Sequence, residues 1–147
     1  MCLRSSLEGS FYMCKLGDII VVKEFKDSNG IVVPKHSFVV INDDANFIEG
    51  YSYDLVSNMM CSFHDEEHKR RKLSIESNLG IDKNQIIGDK LNDKDGYIKA
   101  DELYYFKKGK IEYKVIAHVK DEFLGILVKL ILKLYDKSKI EKVITNL

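Results

Sequence analysis

The chain has 147 residues, and its 23 Lys and Arg residues balance 23 Asp and Glu residues. A chain of this length is expected to fold as one domain over residues 1–147, with its own buried core. Zero net charge excludes a general attraction to nucleic acid or to a membrane, so any binding surface has to be local. The three cysteines (Cys2, Cys14 and Cys61) are odd in number and irregularly spaced, which excludes a disulfide framework and favours a cytoplasmic setting.

The first half of the chain predicts strands. Residues 1–14 lack the apolar core of a signal peptide and are expected to be a peripheral or poorly ordered extension. "GDIIVVKEF" (17–25) is rich in β-branched residues and predicts a strand, which the turn sequence "DSNG" ends. "HSFVVIN" (36–42), which follows Pro34, and "YSYDLVSNMMCSF" (51–63) predict a second and a third strand.

The second half predicts an insert, a hairpin and a helix. The charged stretch "HDEEHKRRK" (64–72) and the weakly periodic residues up to about Lys94 predict a loop with a short helix. "GYIKADELYYF" (96–106) and "KIEYKVIAHV" (110–119) flank "KKG" and predict a hairpin. "DEFLGILVKLILKLYDKSKIEKVI" (121–144) places acids before lysines, the order that a helix dipole favours. The predicted fold class is α+β, mainly β: a small, curled, SH3-like barrel with a C-terminal helix and a loop or helix insert.

The apolar part of the terminal helix, "FLGILVKLILKLY" (123–135), is too short and too often interrupted by Lys to cross a bilayer. A basic amphipathic helix can lie on a membrane surface. Packing of the apolar face on the sheet is the favoured interpretation. The sequence therefore predicts no membrane partner.

"NDKDGYIKADEL" (92–103) is similar to the calcium loop of an EF-hand, which needs Gly at its sixth position and Glu at its twelfth. Aligning Gly96 and Glu102 with those positions places Asp93 third, Asp95 fifth and Leu91 first. Leu supplies no oxygen ligand, and the sequence after the loop predicts a hairpin and not an exit helix. The favoured interpretation is a polar turn that leads into a strand.

Zinc is the second metal to consider, because Cys61, His64 and His68 have the spacing C-x2-H-x3-H. His36 or Asp65 would have to supply a fourth ligand, and no second pair of closely spaced Cys or His residues follows. No phosphate loop or nucleotide-binding fingerprint occurs either. The sequence therefore predicts no metal and no cofactor.

Polar residues converge at the predicted strand ends. Lys35 and His36 lie where a loop enters the second strand, and Cys61 and Ser62 lie near the end of the third. A run of basic or potentially basic side chains follows: His68, Lys69, Arg70, Arg71 and Lys72. Because a sheet holds its strand ends rigidly, such side chains are well placed to form a site.

The order of "GDIIVV", a basic residue before "VVI" and a Ser near the end of the next strand resembles the MazF/PemK-like toxin superfamily. "GYIKADELYYF" is similar to a later strand of that family, and "KEF" followed by "PK" resembles its ToxN/AbiQ-like members. The resemblance covers about residues 15–135. It implies an SH3-like barrel with a C-terminal helix and metal-independent endoribonuclease activity. It also implies a toxin of a bacterial toxin–antitoxin or phage-defence system, with a protein or RNA antitoxin and a homodimer as partners.

The family motif is matched only in part. Alignment on "VVI" places His36 and Ser37 where MazF-like members have Arg-Pro, whereas Lys35 matches the Lys that follows Pro in ToxN-like members. The Ser or Thr position of the family falls on Ser62 or Cys61. The resemblance therefore leaves open whether His36 or Lys35 is the basic residue of the family's site.

Metal-free RNA cleavage needs proton transfer to and from the 2′-OH and the leaving 5′ oxygen, and positive charge beside the phosphate. His36 is the candidate for proton transfer, Lys35 or Arg70 for the charge, and Ser62 for a hydrogen bond to the phosphate. The predicted catalytic residues are Lys35, His36 and Ser62. Tyr51, Tyr53 or Phe63 would stack on an unpaired base, so single-stranded RNA is the expected substrate. The predicted substrate-binding residues are Cys61, Phe63, His68, Lys69, Arg70, Arg71, Lys72 and Tyr53.

Two other functions stay open. The missing Arg-Pro motif favours a catalytically inactive SH3-like barrel that binds nucleic acid or a protein partner. Cys61, His64 and His68 leave a metal-binding regulatory module as the other alternative. Zinc in stoichiometric amount in the purified protein would indicate the latter.

Overall fold

The computed structural model describes residues 15–88 and 95–147, so the predicted extension 1–14 and most of the polar turn before Asp95 lie outside the described residues. These residues form eleven strands and two α-helices. The strands are β1 (Asp18–Lys26), β2 (Val32–Asn42), β3 (Asn46–Ile48), β4 (Tyr51–Tyr53), β5 (Leu55–Ser62), β6 (Asn78–Ile81), β7 (Ile86–Ile87), β8 (Gly96–Lys99), β9 (Glu102–Phe106), β10 (Tyr113–Val119) and β11 (Glu141–Val143). The helices are α1 (Glu66–Leu73), between β5 and β6, and α2 (Asp121–Asp136), between β10 and β11.

Nine of these strands form one strongly curled sheet, a half-barrel. Its order is β11-β9-β5-β2-β1-β10-β7, and β8 extends it by pairing with β5 and β6. All the pairs are antiparallel except β11 with β9. The predicted mainly β, curled fold with a helical insert and a C-terminal helix is confirmed.

The sheet separates two hydrophobic clusters, because neighbouring residues of a strand point to opposite faces. Ile19 and Val39 contribute to the cluster that includes the inner face of α2. Ile20 and Phe38 contribute to the other, which contains Phe25, Tyr104 and Phe106. Ile19, Ile20, Phe38 and Val39 are all fully buried. Each such side chain stabilises the fold by about 1.5–3 kcal/mol relative to exposure.

The inner face of α2 consists of Phe123, Leu127, Ile131 and Leu134, all buried. Their spacing of three or four residues places them on one side of a helix, so the predicted packing on the sheet is confirmed. With 16 residues, α2 is about 24 Å long. No helix in the described part of the chain is long and apolar enough to cross a membrane.

The prediction that this helix continues to residue 144 was wrong. The helix ends at Asp136, and Ser138 adopts a left-handed backbone conformation with φ of 57°. The chain then returns along β9 as the parallel strand β11, and Val143 is buried in the cluster around Phe38. Pairing with β9 and burial of Val143 therefore outweigh the local helical pattern.

Four other sequence predictions are corrected. The predicted strand 51–63 is divided at Asp54 into β4, which forms a separate hairpin with β3, and β5. The predicted strand 96–106 is divided into β8 and β9, which both pair with β5. The hairpin across "KKG" does not form, because β9 pairs with β5 and β11 whereas β10 pairs with β1 and β7. The predicted loop insert contains α1 as expected, but also the strands β6 and β7.

Candidate nucleic-acid interface at the ends of strands β2 and β5

The beginning of β2 and the end of β5 lie at the same end of the sheet, because the two strands are adjacent and antiparallel. Their pairing runs through Val40–Ser57 and Val39–Asn58 and stops at Phe38–Met59. Three more steps in the same register place Lys35 level with Ser62, and two steps place His36 level with Cys61. The predicted strand-end residues therefore lie at the same end of the sheet, just beyond the last recorded pair of β2 and β5.

The alternation of strand residues divides the predicted catalytic group between the two faces of the sheet. Lys35 and Ser62 share one face, and both are exposed. His36 is half-buried on the other face, where its ring lies edge-on to Phe25 with 6.0 Å between ring centroids. Its Nδ1 is 3.3 Å from the carbonyl oxygen of Pro34. Strand alternation thus places Lys35 and Ser62 on one face at this end of the sheet and His36 on the other face.

Helix α1 begins at Glu66, four residues after Ser62. Asp65 caps the helix, since its Oδ1 accepts a hydrogen bond of 2.8 Å from the backbone N–H of His68. Acidic residues fill the first turn, and Arg70, Arg71 and Lys72 fill the last turn, an arrangement that complements the helix dipole. Arg70 and Arg71 are exposed, so the predicted basic run forms a positively charged helix end, and α1 packs on β6 and β8.

Two imidazoles lie against each other at the beginning of α1. The ring centroids of His64 and His68 are 4.3 Å apart, and Nδ1 of His68 accepts a hydrogen bond of 3.1 Å from the backbone N–H of His64. A neutral His68 therefore carries its proton on Nε2. Burial lowers the pKa of His68, and His64, Arg71 and Lys72 lower it further. His68 is thus neutral at neutral pH, whereas the ring of His64 is exposed.

Aromatic packing fixes this corner to strand β8. The ring of Phe63 stacks on Tyr97 with 5.3 Å between centroids, and Nζ of Lys69 lies 5.7 Å from the centre of the Phe63 ring. The same ammonium is 3.2 Å from Oδ2 of Asp95. Phe63 therefore holds α1 in place, and one of its faces is already occupied by Tyr97.

Cys61 contributes packing beneath the site. Its thiol is paired with the hydroxyl of Tyr97, and burial raises the pKa of Cys61. Burial, together with Cys61, also raises the pKa of Tyr97, to about 12. Both groups stay protonated at neutral pH. Gly96 makes the close approach of β8 to β5 feasible, since a Cβ there would overlap the carbonyl oxygen of Cys61.

Tyr53, predicted to bind substrate, lies elsewhere. Its ring packs edge-on against Tyr105, with 4.8 Å between centroids, at the beginning of β5. The eight residues of β5 separate it from Ser62 by roughly 23 Å. Tyr53 belongs to the hydrophobic cluster around α2 and not to the strand-end site.

A second titratable cluster lies at the opposite end of the sheet and was not predicted. Oδ1 of the buried Asp18 is 2.9 Å from Nδ1 of His118, and its Oδ2 accepts a hydrogen bond of 2.8 Å from the backbone N–H of Lys15. Gly17, with φ of 90°, leaves room for the imidazole ring. Asp18 and His118 are 100 positions apart in the sequence, so no local sequence pattern could have predicted that they pair.

Neither predicted metal pattern converges on a site. Among residues 15–88 and 95–147, no group of three or more His, Cys, Asp or Glu side chains has metal-binding geometry. Gly96 and Glu102 begin two different strands, and the carboxylate of Glu102 is 3.3 Å from the ammonium of Lys99. Leu91 and Asp93 lie outside the described residues.

The fold and the site define a mainly β half-barrel with a basic, histidine-containing corner at one end of its sheet. Comparison with protein-family models, with curated proteins and with solved structures found no match for this chain.

Proposed function

We propose that this protein is a metal-independent endoribonuclease that cleaves single-stranded RNA where β2 and β5 part. The arrangement of Lys35 and Ser62 carries the proposal. Both are exposed and lie on one face of the sheet, and α1, whose last turn is basic, begins four residues after Ser62. A phosphate between them would meet an ammonium on one side and a hydroxyl on the other.

The 2′-OH of the RNA is the nucleophile in this reaction, so the protein has to move protons and stabilise negative charge. The ammonium of Lys35 would stabilise the charge that develops on the phosphorane, and the hydroxyl of Ser62 would donate to a non-bridging oxygen. Arg70 and Arg71 would bind the adjacent phosphates. In-line attack requires an unstacked backbone, which favours a single strand over a duplex.

Proton transfer is assigned to His64 in this proposal. Its ring is exposed, and it follows Ser62 by two residues. His68 would support it, because its Nδ1 holds the backbone of His64 and its Nε2–H is left as a donor. His36 points to the opposite face of the sheet and packs on Phe25.

The test is incubation of a long single-stranded RNA with the purified protein in EDTA. We expect discrete fragments that end in a 2′,3′-cyclic phosphate. Lys35→Ala and His64→Gln should each lower the rate by about 100-fold or more. Lys23→Ala and His36→Gln are the matched controls and should keep the rate within about threefold, because Lys23 pairs with Glu112 and His36 faces away.

Intact RNA under conditions of saturated binding would overturn the cleavage proposal. Equal loss of activity in His36→Gln and His64→Gln would overturn the assignment of His64. Growth arrest on expression, relieved in Lys35→Ala, would support the toxin role that the sequence resemblance implies.

A second candidate is a barrel that binds RNA without cleaving it. One observation favours it: His64 is the single exposed imidazole at this corner within the described residues, and cleavage needs both a proton acceptor and a donor. Fluorescence anisotropy with a labelled, uncleaved RNA distinguishes the two candidates. Binding that weakens in Arg70→Ala and Arg71→Ala, without any fragments, would establish the binding protein.

A further inference from the structure

One side of helix α2 carries an exposed apolar stripe, which consists of Val128, Leu132 and Tyr135. These side chains are 39%, 59% and 57% exposed, whereas the inner face of the same helix is buried. Their spacing of four and then three residues places them one above the other on one side of the helix. Contiguous large apolar side chains in water mark a surface that packs against a partner, and here the partner would lie along the helix.

Two exposed charges flank this α2 stripe. Lys129 and Asp136 are seven residues apart, so they lie on the same side of the helix, about 10 Å from each other along its axis. Neither forms an ion pair within residues 15–88 and 95–147, whereas Nζ of Lys133 is 3.1 Å from a carboxylate oxygen of Glu76. The flank therefore offers both a cation and an anion to a partner.

The pattern is complementary to itself when a second copy of α2 runs antiparallel. A two-fold axis through Leu132 would bring this residue against its counterpart and Val128 against the partner's Tyr135. Lys129 lies three residues before the axis and Asp136 four residues after it, so each ammonium would be level with the partner's carboxylate. Parallel helices in register would instead place each charge level with a like charge.

The charge of the whole chain also favours a second copy as the partner. The formal net charge is zero, so two copies do not repel each other at long range. A purely acidic or purely basic partner helix would pair with one flanking charge and repel the other. An antiparallel second copy pairs with both.

We infer that the α2 stripe is the contact surface of a homodimer, in which two α2 helices pack antiparallel about a two-fold axis near Leu132. This assigns a surface to the homodimer that the sequence resemblance implies. A contact of one helix per copy lies at the small end of specific interfaces. The dimer should therefore be weak, with a dissociation constant of about 10–100 μM.

The first experiment is sedimentation equilibrium of the full chain between about 1 μM and 1 mM, where we expect a monomer–dimer equilibrium. Leu132→Glu places two carboxylates at the two-fold axis and should raise the dissociation constant by about tenfold or more. Ile126→Glu is the matched control, because Ile126 is 53% exposed on the same helix. It lies about 120° from Leu132 around the helix axis, so its substitution should change the dissociation constant by less than about twofold.

A charge-exchange experiment tests the antiparallel geometry. Lys129→Glu and Asp136→Lys each bring like charges together twice in a homodimer, and each should raise the dissociation constant by about fivefold or more. An equimolar mixture of the two variants should dimerise about as well as the unchanged protein. In the mixed dimer, each introduced charge lies opposite a charge of the other sign.

Three results would refute the inference: a protein that stays monomeric at about 1 mM, equal dissociation constants for Leu132→Glu and Ile126→Glu, or a mixture of charge variants that associates no better than either variant alone. A monomer would leave the α2 stripe to a different protein. All four substituted side chains are exposed, and circular dichroism verifies that each variant keeps the fold. The measurement contains no RNA, so its result is independent of the endoribonuclease proposal.

Discussion

Substitution of Gly96 by Ala tests how the end of β5 is held in place. Gly96 pairs with Ser62, and a Cβ at this position would overlap the carbonyl oxygen of Cys61. The overlap is with backbone, so no side-chain rotation relieves it and β8 has to move away from β5. Overpacking of this kind costs about 1–3 kcal/mol, and a weakened strand hydrogen bond adds about 0.5–1.5 kcal/mol. We therefore expect Gly96→Ala to lower the free energy of unfolding by about 2–4 kcal/mol.

Gly109→Ala is the matched control, because no atom in the described part of the chain lies within 4 Å of the position that its Cβ would take. Its effect should stay within about 0.5 kcal/mol. Urea denaturation followed by circular dichroism measures both variants. A Gly96→Ala protein as stable as Gly109→Ala would refute the close approach of β8 to β5. At a temperature at which Gly96→Ala is still folded, its rate of RNA cleavage should also be lower, because movement of β8 displaces Ser62.

Two further predictions concern the half-buried His118 and the buried His68. His118→Ala leaves the carboxylate of Asp18 with the backbone N–H of Lys15 as its remaining partner in the described structure. It should lower the free energy of unfolding, measured by urea denaturation, by about 1.5–3 kcal/mol. If the Asp18→Asn/His118→Ala protein is no more stable than His118→Ala, the loss does not come from an unpaired carboxylate. Folding lowers the pKa of His68 below its ordinary value of about 6.5, so the unfolded chain binds more protons than the folded chain as the pH falls below that value. The free energy of unfolding that depends on neutral His68 is therefore fully present above about pH 6.5 and is lost as the pH decreases. His68→Asn keeps an acceptor for the N–H of His64. Its free energy of unfolding should decrease less between about pH 7 and pH 5 than that of the unchanged protein. An equal decrease in the two proteins would contradict the prediction.

The local sequence pattern correctly predicted those strands and helices whose side chains are buried at regular intervals. "GDIIVVKEF" and "HSFVVIN" predicted β1 and the second half of β2, because their β-branched and aromatic residues fill both faces of a sheet. The spacing of Phe123, Leu127 and Ile131 likewise predicted the packing of α2. Pro34 lies inside β2, as its third residue. It is tolerated there because the recorded pairing with β5 begins only at Phe38.

The features that the sequence pattern did not predict depend on pairing between strands that are distant in the sequence. β11 has three residues and continues a lysine-rich helical pattern, so only its position beside β9 makes it a strand. The division of His36 from Lys35 follows from the alternation of β2, which placed the two residues on opposite faces once the strand extended back to Val32. Tyr97 was missed for a related reason, since its role depends on pairing with Cys61.

The position of the candidate site follows from a change of partners along β5. Residues 55–57 of this strand pair with β9, residues 56–59 with β2, and residues 60–62 with β8. At Ser62 the strand is therefore supported by β8 on one edge, while its recorded pairing with β2 has already stopped. Beyond the last recorded pair of β2 and β5, the exposed side chains of Lys35 and Ser62 lie at this edge and not inside the sheet. In the proposed function, an extended RNA backbone would enter at this end of the sheet, and the basic last turn of α1 would bind its phosphates.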